Sequence, residues 1–153
     1  ATVDLALVDL DTAKTTFLKN GSTPSFIKRG NEVIPVTANN LPIGILKEID
    51  VEMVSERMLP GDLLIMMTDG VYDAPLYAAN KEAWLKRAIQ EIKTRDPQSF
   101  ADLLLEKVVR QTGGSIQDDM TVVVAKIDHS LPDWASISVP GIPRLQRNEA
   151  HPG

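Results

Sequence analysis

The sequence predicts an α+β domain: antiparallel strands around a buried central strand, with two amphipathic helices set before the last strand. Three observations predict it. Apolar and polar residues alternate through several short stretches of the first sixty positions. The apolar run Leu63 to Met67 is bounded by Pro60-Gly61 and Asp69-Gly70, as a strand buried on both faces would be. After Asp69 the apolar period changes to helical spacing.

At 153 residues, 43% hydrophobic and 24% charged, the chain has the size and composition of one globular domain. A formal net charge of -5 leaves no diffuse basic surface for nucleic acid or anionic lipid. The absence of cysteine excludes disulfides, thiolate zinc sites and cysteine nucleophiles together. A metal would have to be held by oxygen ligands or by the two histidines. No apolar run approaches the roughly 18 residues that suggest a membrane span, and no signal-like segment opens the chain.

Ala1 to Leu10 already alternates at its first residue, which is not methionine, with Val3, Leu5 and Leu7 on one face and Thr2, Asp4 and Ala6 on the other. The expectation is that the chain starts inside a strand and that sequence preceding Ala1 belongs to the same sheet. Asp11 to Lys14 is a polar turn, and Thr15 to Lys19 returns as the second strand of a hairpin, ended by Asn20-Gly21. Asp4 and Asp9 read as solvent-facing strand or turn residues. Ser25–Lys28 and Glu32–Val36 flank Arg29-Gly30-Asn31 as a second hairpin, whose Pro35 suggests a sheet edge. Together these strands predict an antiparallel meander. Asn39 to Leu46, with Pro42 and Gly44, reads as an irregular apolar loop packed on the core. Val51 to Met58 alternates and is predicted to pair with the buried central strand across Leu59-Pro60-Gly61.

Trp84, Leu85, Ala88, Ile89 and Ile92 recur at helical spacing, predicting a helix from Asn80, its cap, to about Lys93. Asp96-Pro97 opens a second helix, with Phe100, Leu103, Leu104, Lys107 and Val108 inward and an end before Gly113-Gly114. Leu64 and Met66 of the central strand are expected to pack against the helix faces carrying Trp84, Ile89 and Leu104. Trp84 reads as core, with a partner surface as the alternative.

Asp69 ends the central strand, and Asp118-Asp119 stands just before the last strand, Val122 to Ile127. If these strands are antiparallel neighbours, Asp69 and Asp118 reach the same rim of the sheet. Like charges brought together favour a bound cation, with Mg²⁺ or Mn²⁺ suited to carboxylate oxygens. Gly70 would let the backbone turn sharply beside Asp69. Taken alone, Asp-Gly is also an ordinary turn dipeptide, and paired acids before a strand also occur in turns.

Asp69-Gly70-Val71-Tyr72-Asp73 after a buried strand, and Asp118-Asp119-Met120-Thr121 before the last one, resemble the two C-terminal metal-binding motifs of PP2C-type (PPM) metal-dependent serine/threonine protein phosphatases. The opening Ala1 to Ala6, Asn20 to Pro24 and Leu41-Pro42-Ile43-Gly44 resemble the bacterial branch that acts on anti-anti-sigma factors in the control of sporulation. The resemblance covers about Ala1 to Asp128. It implies an αββα sandwich of antiparallel sheets flanked by helices, the C-terminal half of which is present. It also implies two Mn²⁺ or Mg²⁺ ions, with Asp69 and Asp118 as metal ligands. Gly70, Asp73 and Asp119 would support those ligands, and no side chain would act as the nucleophile. The family's N-terminal Asp-Gly motif is expected upstream of Ala1, which would leave the isolated chain inactive. His129 and His151 are given no ligand role.

The chain divides into residues 1–129, the phosphatase part, and an irregular C-terminal tail, residues 130–153. The partner implied is a phosphorylated anti-anti-sigma factor, with self-association through an unpaired sheet edge and no nucleic-acid or membrane contact by this segment. The resemblance also implies the cytoplasmic domain of a bacterial membrane protein. The competing reading is a non-catalytic, phosphatase-like interaction or assembly module.

Overall fold

The computed structural model describes residues 4–20, 23–37, 52–75, 78–113 and 118–128. The expectations for Asn39 to Leu46, for His129 and for the tail from residue 130 lie outside these residues.

Among the described residues, seven strands and three helices follow in the order β1 (Asp4–Val8), β2 (Lys14–Lys19), β3 (Ser25–Arg29), β4 (Glu32–Val36), β5 (Glu52–Arg57), β6 (Leu63–Met67), α1 (Asp69–Asp73), α2 (Lys81–Glu91), α3 (Pro97–Gln111) and β7 (Val122–Lys126). They form two antiparallel sheets, one of three strands in the order β1-β2-β5 and one of four in the order β4-β3-β6-β7. Both predicted hairpins are present. The continuous meander is not, because β2 and β3 lie in different sheets. β5 pairs with β2 and not with β6.

Local bonding explains why the Leu59-Pro60-Gly61 turn does not close a hairpin. The Asp62 carboxylate accepts from the Leu59 amide at 2.7 Å and from the Arg29 guanidinium at 2.7 Å. Gly61 donates its amide to the Ile127 carbonyl at 2.7 Å, and the Ile127 amide returns to the Asp62 carbonyl at 2.9 Å. The turn is thereby tied to the ends of β3 and β7, and the chain steps from one sheet to the other. Its buried carboxylate is the principal reason that the pKa of Arg29 is raised.

The layers divide the core in two. Between the sheets, Phe17, Val54 and Met58 meet Ile27, Val36 and Leu64, with Met66 against them. On the other face of the four-stranded sheet, Phe26, Val33, Leu63 and Ile65 pack with Leu85, Ile89, Phe100, Leu104 and Val108 of the helices. Side chains alternate along a strand, so Leu64 and Met66 face the neighbouring sheet while Leu63, Ile65 and Met67 face the helices. The expected contact of Leu64 and Met66 with the helices is thus corrected by one residue of parity. In β1 the parity also differs from the expectation: Leu5 and Leu7 are 48% and 58% exposed, and Asp4 turns inward.

Both long helices begin as predicted. Asn80 accepts from the Ala83 amide, and Asp96 accepts from the Ser99 amide with Pro97 in the first turn. α3 ends at Gln111, and Gly113 takes a left-handed φ of 64° just beyond it. α2 has neither a basic residue in its last turn nor a left-handed glycine cap. Instead the buried Lys28 of β3 donates to the carbonyls of Ile89, Gln90 and Ile92 at 2.8, 3.1 and 3.0 Å. Trp84 is half-buried against the helix-side core, and Leu103 is largely exposed.

Candidate metal-binding rim

The rim is built by the β6–β7 pair. Met67 stands opposite Val122 in an antiparallel register, so the chain leaving β6 and the chain entering β7 meet at one end of the sheet. Thr68 continues the pairing beyond the strands: its amide donates to the Thr121 carbonyl at 3.1 Å. Its hydroxyl accepts from the Thr121 amide at 3.0 Å and donates to the Asp119 carbonyl at 3.2 Å. One threonine therefore joins the two acidic segments through side chain and backbone together. Its position immediately before Asp69 was the available sequence signal, and sequence reasoning passed over it.

Asp69 starts the short helix α1, and Gly70 behind it is buried. The backbone of Gly70 does not use a left-handed conformation, so the sharp-turn explanation for this glycine is replaced by a steric one. A Cβ here would lie 2.3 Å from the Asp119 carbonyl oxygen, well inside contact distance. Gly70 is the residue that lets the second acidic segment lie against the first.

Asp69 and Asp118 are exposed at this rim. Each uses one carboxylate oxygen to accept from the next amide, Gly70 at 3.0 Å and Asp119 at 2.8 Å. Neither forms an ion pair among the described residues, and both point to solvent as hard, anionic oxygen donors. That donor chemistry fits Mg²⁺ or Mn²⁺. Among the described residues no group of three acidic or histidine side chains is placed to hold a metal. Asp73 is turned to another task, bonding Lys81 Nζ at 2.6 Å and tying α1 to the start of α2. Asp119 contributes its carbonyl to Thr68 and lies against Gly70.

A family model described as "Stage II sporulation protein E (SpoIIE)" matches residues 1–128. The chain is 57% identical over 142 residues to stage II sporulation protein E of Bacillus subtilis, covering 93% of this chain and 17% of that protein. It is 56% identical to the Priestia megaterium protein of the same name, covering 90% of this chain and 23% of that one. The chain thus spans less than a quarter of these curated relatives.

Among solved structures, it is similar to the phosphatase domain of the cell fate determinant SpoIIE from Bacillus subtilis in a crystal form without domain swapping. That match has a TM-score of 0.78 at 57% identity and covers 91% of this chain and 61% of the other. The Mn-presoaked structure of the same phosphatase domain gives a TM-score of 0.76 at 52% identity, covering 88% of this chain and 60% of that one. The serine/threonine phosphatase PstP/Ppp of Mycobacterium tuberculosis shares the fold, with a TM-score of 0.58 at 19% identity over 84% of this chain and 60% of the other.

Proposed function

The chain belongs to the stage II sporulation protein E family, and from that premise we propose that it is the C-terminal, acid-bearing part of a PP2C-type metal-dependent serine/threonine protein phosphatase. The observation that carries the proposal is the meeting of Asp69 and Asp118 at one rim, with Thr68 and Gly70 holding their two segments together. Asp69 and Asp118 are the side chains that would hold Mn²⁺ or Mg²⁺. When bound, such ions supply Lewis acidity toward phosphoryl oxygens and bring water to its nucleophilic form near neutral pH.

The chain's own part is to present one carboxylate from the start of α1 and one from the segment leading into β7, which Thr68 bonds to the end of β6. Asp119 and Asp73, each placed by a separate backbone or ion-pair contact, support the rim and leave ligation to Asp69 and Asp118. Two carboxylates alone fill few positions of a near-octahedral oxygen shell. Turnover therefore needs ligands beyond Asp69 and Asp118, and the isolated chain is expected to be inactive. The substrate is a phosphoserine or phosphothreonine on a small regulatory protein, a phosphorylated anti-anti-sigma factor in sporulation control. The family name and the relatives' names support the sporulation part of that reading, and the substrate class rests on the resemblance of the two acidic motifs. Among the described residues no helix is long and apolar enough to cross a membrane. The cytoplasmic placement of this segment, beside a membrane anchor elsewhere in the protein, rests on the family alone.

The test is phosphate release from a phosphoserine protein as Mn²⁺ is varied, using the phosphatase domain that contains this chain. Asp69→Asn and Asp118→Asn are expected to abolish turnover at limiting Mn²⁺ with the melting temperature preserved, while Asp119→Asn and Asp73→Asn retain most of it. Near-normal turnover in either of the first two would overturn the assignment. The 153 residues alone are expected to bind Mn²⁺ only at about millimolar concentration or above and to release no phosphate.

A further inference from the structure

The inward turn of Asp4 leads to a second feature of the acid rim. Lys19, at the last position of β2, is 1% exposed, and its ammonium bonds the Asp4 carboxylate at 2.6 Å. The same ammonium donates to the Thr23 carbonyl at 2.7 Å and to Ser25 Oγ at 3.2 Å. The other oxygen of Asp4 accepts from the Asn20 amide at 3.2 Å. One ion pair thus grips the connection from β2 to β3 on both sides, at Asn20 and at Thr23. This connection is where the chain leaves the three-stranded sheet for the four-stranded one.

The strand ladders give its location. β3 runs antiparallel to β6 with Phe26 opposite Ile65, so one further step sets Ser25 beside Met66, three residues before Asp69. The start of β3, the end of β6 and the start of β7 share one end of the sheet, and Lys19 reaches that end from the facing sheet. Its charge is fully used by three acceptors. A buried ion pair is a weak source of stability, because desolvating both charges offsets most of their attraction, and an apolar pair of similar volume often serves the fold as well. An apolar pair would not reproduce the directed bonds to Asn20, Thr23 and Ser25.

We propose that Lys19 and Asp4 are positioning residues for the phosphatase reaction, holding the β2–β3 connection, and with it the junction of the two sheets, in register beneath the metal ligands Asp69 and Asp118. This inference rests on the function proposed above. It assigns no ligand role to either residue; both act through the backbone they hold.

The experiment compares stability with metal dependence in the phosphatase domain that contains this chain. Lys19→Met, the double variant Lys19→Met/Asp4→Leu, and Arg29→Met are assayed for melting temperature, turnover and half-saturating Mn²⁺. Arg29→Met is the control, since it orphans the buried Asp62 carboxylate at the opposite end of β3 and β6. The double variant is expected to recover a melting temperature near the wild type while needing about tenfold more Mn²⁺ for half-saturation, the scale seen when groups that orient metal ligands are removed. Arg29→Met is expected to lower the melting temperature with half-saturating Mn²⁺ unchanged.

Wild-type Mn²⁺ dependence and turnover in the double variant would overturn the inference and leave a structural ion pair. If the double variant stays as destabilised as Lys19→Met, Lys19→Met is compared with Arg29→Met at a temperature giving equal folded fractions. Equal Mn²⁺ dependence there overturns the inference, and a shift confined to Lys19→Met upholds it. A wild-type domain without metal-dependent phosphate release would instead overturn the proposed function, and this inference with it.

Discussion

Gly70 and Asp119 are in backbone contact across the two acidic segments: a Cβ added to Gly70 would meet the Asp119 carbonyl oxygen at 2.3 Å and the Asp118 Cβ at 3.3 Å. Gly70→Ala must push the Asp118–Asp119 segment away, since the obstructing atom is backbone and cannot rotate aside. The expected cost is about 1 to 3 kcal/mol, in the range of overpacked buried sites, together with a weakened response to Mn²⁺. Denaturant melts and Mn²⁺ titrations of the phosphatase domain check both. An alanine variant with unchanged stability and metal response would show that the two segments need not touch.

Thr68 can be tested with a pair of substitutions. Thr68→Val keeps the β-branched shape and removes both hydroxyl bonds to the second acidic segment. At about 1 kcal/mol for a typical net hydrogen bond, a loss of about 1 to 2 kcal/mol is expected. Thr68→Ser should recover most of it. Equal stability of the valine and serine variants would remove the hydroxyl from the account of the rim.

At the opposite end of the sheet, Asp62 is 1% exposed and holds both Arg29 and the Leu59 amide. Asp62→Ala orphans the guanidinium and that amide at once. Because Arg29 is one-third exposed and can turn to solvent, the cost is set mainly by the unpaired amide, about 1 to 3 kcal/mol, measured by urea unfolding.

Leu104 and Trp84 lie on the same side of the four-stranded sheet and differ in burial. Leu104→Ala, at a fully buried position, should cost about 2 to 5 kcal/mol. Trp84→Ala should cost less, about 2 kcal/mol, because only part of the ring leaves the core. A larger effect at Trp84 than at Leu104 in calorimetric melts would contradict the packing described.

The cap of α3 carries a pH signature. The pKa of Asp96 is lowered from 3.8, chiefly by the Ser99 amide donating to its carboxylate. A carboxylate whose pKa is depressed in the folded state contributes stability above its unfolded value and loses it as pH falls through the folded value. Asp96→Ala should therefore be less stable than wild type at neutral pH, with the gap closing only below pH 3.8. Paired unfolding measurements between neutral and acid pH check this, and a gap independent of pH would assign the cap to shape alone.

What the residues determined by themselves was local. Asn80 and Asp96 capped the helices where their side chains could reach amides three residues on, and Pro35 marked the edge strand. The run from Leu63 to Met67 formed an interior strand with Asp69 just beyond its end, and Val122 to Lys126 formed a strand with Asp118 before its start. Each depends on periodicity, on a cap or on a strand's end, which sequence spacing records directly.

Tertiary structure decided the partners. Whether β5 folds back on β6 or pairs with β2 turned on Asp62, Arg29 and Ile127, which are far apart in sequence and meet only when the sheets are stacked. The parity of Leu64 and Met66 turned on which sheet lies on which side, because a strand apolar on both faces carries no signal of direction. Asp4 faced inward because Lys19 and the β2–β3 connection supplied its partners. Gly70 was needed for a carbonyl oxygen 49 positions along the chain. These are long-range contacts whose chemistry becomes visible only after folding has set the distances.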